Sequence, residues 1–144
     1  MQSTGVSALD TTIQKTNVWL KEVMEEIDSD DRHQAYLALR SVLHALRDRL
    51  TVEEATDLGA QLPMLVRGFY YDGWNPSGKP VKFHKDEFLS NIGEQFVGDP
   101  TIDTEKMAQA MFRMLDKYIA DGEIEDIKAI LPHDLKEFWE SRPS

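Results

Sequence analysis

Apolar side chains at the start of the chain fall three and four residues apart: Leu9, Ile13, Leu20, Val23, Met24 and Ile27, with Thr16 in register and Trp19 widening the face. That period places them on one side of a long amphipathic α-helix. A second stripe follows at Leu39, Val42, Leu43, Leu46 and Leu50, and Asp30 stands before it as the expected N-cap. Thr51 and Glu54 form a T-x-x-E capping box that opens a short third helix through Ala55, Leu58 and Leu62. Pro63 lacks an amide hydrogen and crowds the turn before it, so it ends that helix and starts a fourth through Leu65, Val66 and Phe69.

The same order then returns. Residues 13–70 can be laid over 82–139 without a gap, and ten pairs are identical, among them Leu46/Leu115, Glu54/Glu123, Asp57/Asp126, Leu62/Leu131, Pro63/Pro132 and Phe69/Phe138. The shift predicts four more helices at 87–97, 103–120, 123–131 and 132–139, with Asp99 before Pro100 as the counterpart of Asp30. No run alternates in the manner of a strand. The expected fold class is therefore all-α, a helical bundle of about eight helices built from two tandem four-helix repeats. It forms a single domain over 1–144, with repeats at about 10–71 and 82–140 and a Gly- and Pro-rich linker at 72–81.

Composition narrows the chemistry more than it supplies any. With 26 acidic against 16 basic residues the net charge is −10, which repels duplex nucleic acid and anionic lipid and favours a basic partner. Cysteine is absent, which removes disulfides, thiolate metal sites and cysteine nucleophiles and suits a reducing compartment. The polar start of the chain has no signal-peptide pattern and no stretch is apolar enough for a membrane span, so a cytoplasmic location is expected. No phosphate-binding loop, nucleophile elbow or histidine pair at metal-ligand spacing occurs, so neither catalytic residues nor a cofactor nor a metal site is expected.

Three segments carry a resemblance: Thr12-Ile13-Gln14-Lys15-Thr16-Asn17, then the second-helix run 38–50, then 62–74 with its Leu62-Pro63 corner and Phe69-Tyr70-Tyr71 aromatics. Together with Gly122-Glu123-Ile124-Glu125-Asp126 and Leu131-Pro132, they make the chain resemble the bacterial family catalogued as domain of unknown function 2267. The resemblance covers nearly the whole chain and implies a small bacterial all-helical protein. It brings no reaction.

Three constellations remain as candidates. Glu54/Asp57 and Glu123/Asp126 each put two carboxylates on one helical face, a pattern suited to a cation, but acids in a first helical turn are already accounted for by capping and the helix dipole. Tyr36, Arg40, His44 and Arg47 share one flank of the second helix, and with Arg67 they could hold a small anionic ligand in a cleft between the repeats. Long side chains on such a flank also commonly pair with acids, here Glu22, Glu25, Glu26 or Asp48. The junction offers Tyr71, Trp74, Lys79 and Lys82 as a partner-binding surface, since aromatics beside cations are frequent in interfaces. The functional expectation is a non-enzymatic protein-interaction or self-association module, as a hetero-complex or homo-oligomer. The alternative is a binding protein or enzyme for a small anionic ligand.

Overall fold

A computed structural model of the chain describes residues 3–140. Among these residues lie eight α-helices: α1 (Ser7–Glu26), α2 (Arg32–Arg49), α3 (Val52–Ala60), α4 (Met64–Tyr71), α5 (Lys85–Gly93), α6 (Thr104–Tyr118), α7 (Asp121–Ile130) and α8 (His133–Glu140). A 3-10 turn, Glu94–Phe96, prolongs α5 over part of the span the sequence reading gave to one helix. No strand occurs among the described residues, and the all-α bundle is as the apolar periods predict.

The caps refine the boundaries. Asp31, not Asp30, is the N-cap of α2, and its carboxylate accepts from the His33 and Gln34 amides. Asp99 does not start α6 either: its Oδ1 accepts from both the amide and the hydroxyl of Thr101, which holds Pro100 in a turn. Asp103 caps α6 instead, on the Lys106 amide. A side chain committed to its own local turn is not available to a helix, so the extra turn delays α6. At the α3 end, Thr51 accepts from the Glu54 amide at 3.2 Å, as the capping box requires.

Helices α2 and α6 occupy the middle of the bundle. The first lies against α1, α4, α5 and α6, and the second also meets α1, α5 and α8. Because α1 packs on α6 and α2 on α5, the long helices of each half are covered by the other half. One continuous core results, running from Trp19 through the leucines of α2 to Phe138 and Trp139. Each half alone would leave those faces wet, and a chain of roughly 60 residues buries too little surface to be robust. Stacking of Trp19 on Tyr118, with ring centres 4.8 Å apart, marks the seam between α1 and α6. Ion pairs Lys117–Glu22 and Arg113–Glu26 lie across the same pair of helices.

The non-helical connection runs from Asp72 to His84, longer than the 72–81 linker read from glycines and prolines. Both of its ends are fastened to the last turn of α2. Arg47 Nη1 donates to the Asp72 carbonyl at 3.1 Å, the Val81 amide donates to the Asp48 carbonyl at 2.9 Å, and Arg49 Nε donates to the Phe83 carbonyl at 3.0 Å.

Candidate functional site

The basic flank of α2 faces the C-terminal end of α4. That end has no basic residue of its own in the last turn, so its carbonyls need partners from elsewhere. His44 Nε2 donates to the Phe69 carbonyl at 2.7 Å, and Arg47 Nη1 donates to the Tyr70 carbonyl at 2.7 Å. Arg47 also meets Asp48 at 2.8 Å, and Arg40 pairs with Asp72 at 3.0 Å. Three of the four basic candidates for an anion, Arg40, His44 and Arg47, are thus brought together, but their donors close a helix end. Of the acids expected to pair with them, Asp48 does so, whereas Glu22 and Glu26 are taken by α6. Tyr36 stands beside Phe69 edge-on, with ring centres 5.3 Å apart. Arg67 lies apart from the flank: its guanidinium donates to the Gly59 and Leu62 carbonyls, both at 2.9 Å, and so braces the corner between α3 and α4.

Beside this flank is a groove of about 290 Å³ between α2 and α5, where Arg40, His44 and Arg47 face Asn91, Glu94 and Gln95. Burial is the main cause that holds the His44 imidazole below its usual 6.5, and Arg47 and Arg40 add to it against the opposing pull of the Phe69 hydrogen bond and Asp48. A depressed histidine value means that the unfolded chain takes up a proton first. The stability that His44 supplies is complete above pH 6.5 and is lost as pH falls below it toward the lowered folded value. The raised Glu123 carboxyl gives an opposite trend over the same range, so the test is the difference in urea stability between the protein and His44→Gln, which keeps a donor for the Phe69 carbonyl: that difference should shift against the unmodified protein as pH falls from about 7.5 to 5. Superimposable profiles for the two proteins would refute the assignment.

The junction aromatics turn inward. Tyr71 lies so close to α3 that a Cβ on Gly59 would come 2.3 Å from its hydroxyl oxygen, so only glycine permits the approach. Trp74 packs on Tyr71 at 5.4 Å between ring centres, and its indole nitrogen is buried without an acceptor. Lys79 is half-buried, and of the four junction candidates only Lys82 is exposed. Tyr70 is wholly interior and its hydroxyl donates to the Ala55 carbonyl at 2.6 Å.

Two features arise only from the packing of helices. One is an apolar groove of about 580 Å³ between α1 and the Leu62-Pro63 corner, floored by Trp19, Leu62 and Pro63 and bordered by Val18, Lys15 and Tyr118. The corner itself docks on α1, with the Leu65 amide donating to Thr12 Oγ1 at 2.9 Å. The other is the meeting of α3 with α7, which places Glu54, Glu123 and Asp126 together. Burial first, then the Glu54 carboxyl and the charges of Asp57 and Asp126, pushes the Glu123 carboxyl up to about 8. The identities of Glu54 with Glu123 and of Asp57 with Asp126 in the self-alignment are the sequence signal for this pairing.

No helix among the described residues is long and apolar enough to cross a membrane. No curated protein matches the chain. A family model matches residues 16–138, which takes in all but the first turns of α1 and the end of α8. The chain therefore belongs to the family described as "Uncharacterized conserved protein (DUF2267)".

Proposed function

We propose that the chain is a non-enzymatic interaction module whose groove between α1 and the α3–α4 corner takes an amphipathic, basic segment of a partner protein. The observation that carries this reading is the apolar groove itself, lined by Val18, Trp19, Leu62, Pro63 and Tyr118, with Val18 on its border 56 % exposed; Met64 and Leu65, also exposed, follow Pro63 in the chain. Single exposed apolar side chains are ordinary, but one bordering a concavity floored by apolar side chains is a feature of contact surfaces. Charge selects the occupant. At −10 two copies of the chain repel one another, while a cationic segment is attracted. Such a segment would set its apolar face into the groove, its attraction coming from the net charge of the chain, since the one charged residue in the lining is Lys15. Tyr71 and Trp74 are packed down, so the linker contributes Lys82 and backbone rather than an aromatic platform.

A synthetic amphipathic helix of leucine and lysine is the probe. Val18→Glu is expected to weaken its binding about tenfold by fluorescence anisotropy, a loss typical of a disrupted apolar anchor. The substitution adds an acid, so attraction by net charge alone would make binding tighter, which would sink the groove. Concentration-dependent sedimentation of the unmodified protein, abolished by Val18→Glu, would transfer the groove to self-association.

The alternative, a protein that binds or converts a small anionic ligand, draws its support from the groove of about 290 Å³ at Arg40, His44 and Arg47. The engagement of those donors with Asp72, Asp48 and the α4 carbonyls weighs against it, as does Glu94 in the lining.

A further inference from the structure

We infer that the contact between α3 and α7 is a binding site for one hard divalent cation, with Glu54, Glu123 and Asp126 as its ligands. One carboxylate oxygen from each of the three lies within 4.8 Å of the others. Two oxygens on opposite sides of a calcium ion, each at about 2.4 Å, stand about 4.8 Å apart, so the triad fits the span of a single ion. The donor set consists of carboxylates, without sulfur or imidazole. That selects calcium, magnesium or manganese over zinc or copper.

What points to a ligand is the state of Glu54. The residue is only 9 % exposed, and its Oε1 is buried with no hydrogen-bond donor. Glu123 Oε1 is buried as well and finds no donor besides the facing Glu54 carboxyl. An oxygen removed from water normally finds a partner, and two carboxylates placed together without one are doubly unfavourable. The capping box does not account for this arrangement. Thr51 satisfies the Glu54 amide with its own hydroxyl, and the Glu54 carboxyl meets Glu123 across the helix contact. A dication answers both deficits at once, neutralising the pair and filling the coordination of both buried oxygens. Asp126 is the exposed member, which leaves one side open for the ion and its remaining water ligands to enter. Asp57, whose charge also acts on Glu123, deepens the negative potential at that opening.

The inference is independent of the apolar groove, which lies on α1 and the opposite corner of α3. Its test uses the full chain, stripped with chelator and titrated with calcium, magnesium and manganese chlorides by calorimetry, against potassium chloride at matched ionic strength. The expected result is one ion per chain and a rise in Tm of about 5 °C at fifty times the dissociation constant. Glu123→Gln and Asp126→Asn should each lose about tenfold or more in affinity, and Glu125→Gln, exposed on the same helix, should lose none. Asp126 is at the surface, so its variant remains informative even where a change at Glu123 disturbs folding. No heat and no Tm response to any of the three ions up to about 10 mM would overturn the site. A response unchanged in Glu123→Gln and Asp126→Asn would overturn it equally.

Discussion

Arg47→Met is expected to lower the free energy of unfolding by about 3–5 kcal/mol, the cost of breaking a buried, charged hydrogen-bond set by removing one partner. Arg47 is 4 % exposed, and its guanidinium serves the Tyr70 carbonyl at 2.7 Å, the Asp72 carbonyl at 3.1 Å and Asp48 at 2.8 Å. Methionine keeps the length and the apolar stem but leaves two carbonyls at the end of α4 and one half-buried carboxylate without a donor. Lysine would restore the charge as a single point and not the fork that reaches three acceptors. Urea denaturation should therefore show a lower midpoint with an unchanged slope, and Arg47→Lys should fall between the two proteins. A loss under about 1 kcal/mol would mean that water replaces the guanidinium at little cost, and the closure of α4 by α2 would be incidental.

Phe112→Ala is expected to cost about 3–5 kcal/mol as well, by a different route. Its side chain on α6 is fully buried, and its ring meets Phe88 at 5.9 Å, Phe138 at 5.4 Å and Trp139 at 4.2 Å between centres. These partners belong to α5 and α8, so one ring fills the space where the helices of the second half converge. Deleting it removes the transfer free energy of the ring and leaves a cavity that three aromatic neighbours cannot close without leaving their rotamers. A domain of ordinary stability has about 5–15 kcal/mol in total, so a melting curve should shift far and remain cooperative. Phe112→Leu should recover more than half of the loss. Equal loss in both would assign the effect to aromatic geometry instead of volume.

Local chemistry is what the sequence makes legible. Apolar periods locate all eight helices, and the Leu62-Pro63 and Leu131-Pro132 corners separate the short ones, because both signals act within one or two turns. Caps are less certain where acids stand in a row. Asp30 and Asp31 are chemically alike, and only the chain direction after them shows that the second accepts the free amides. Asp99 repeats Asp30 in sequence, yet Thr101 engages it locally and defers the cap to Asp103.

The candidate residues follow the same division. Helical geometry puts Arg40, His44 and Arg47 on one flank, but the end of α4 that they close is distant in the chain, 25 residues separating His44 from Phe69. Glu54 and Asp57 read as a pair within one helix turn because they are close in sequence. Their encounter with Glu123 and Asp126 depends on how α3 meets α7, a contact that no local rule specifies. The apolar groove was hidden for a related reason. Trp19 and Leu62 look like core residues, and they are, but each also shows one edge to a concavity that exists only when the corner docks on α1.

The fastening of residues 72 and 83 to one turn of α2 makes the junction a closed excursion and not a tether. Its entrance and exit are set by Arg47 and Arg49, two residues apart on a rigid helix, so the placement of the second half does not depend on how far the chain wanders in between. Lengthening the segment around Ser77 and Gly78 then costs only loop-closure entropy, about 0.6 kcal/mol for each doubling. This makes the junction an internal place where a reporter, an affinity tag or a natural insertion can be carried with the two halves still sharing a core.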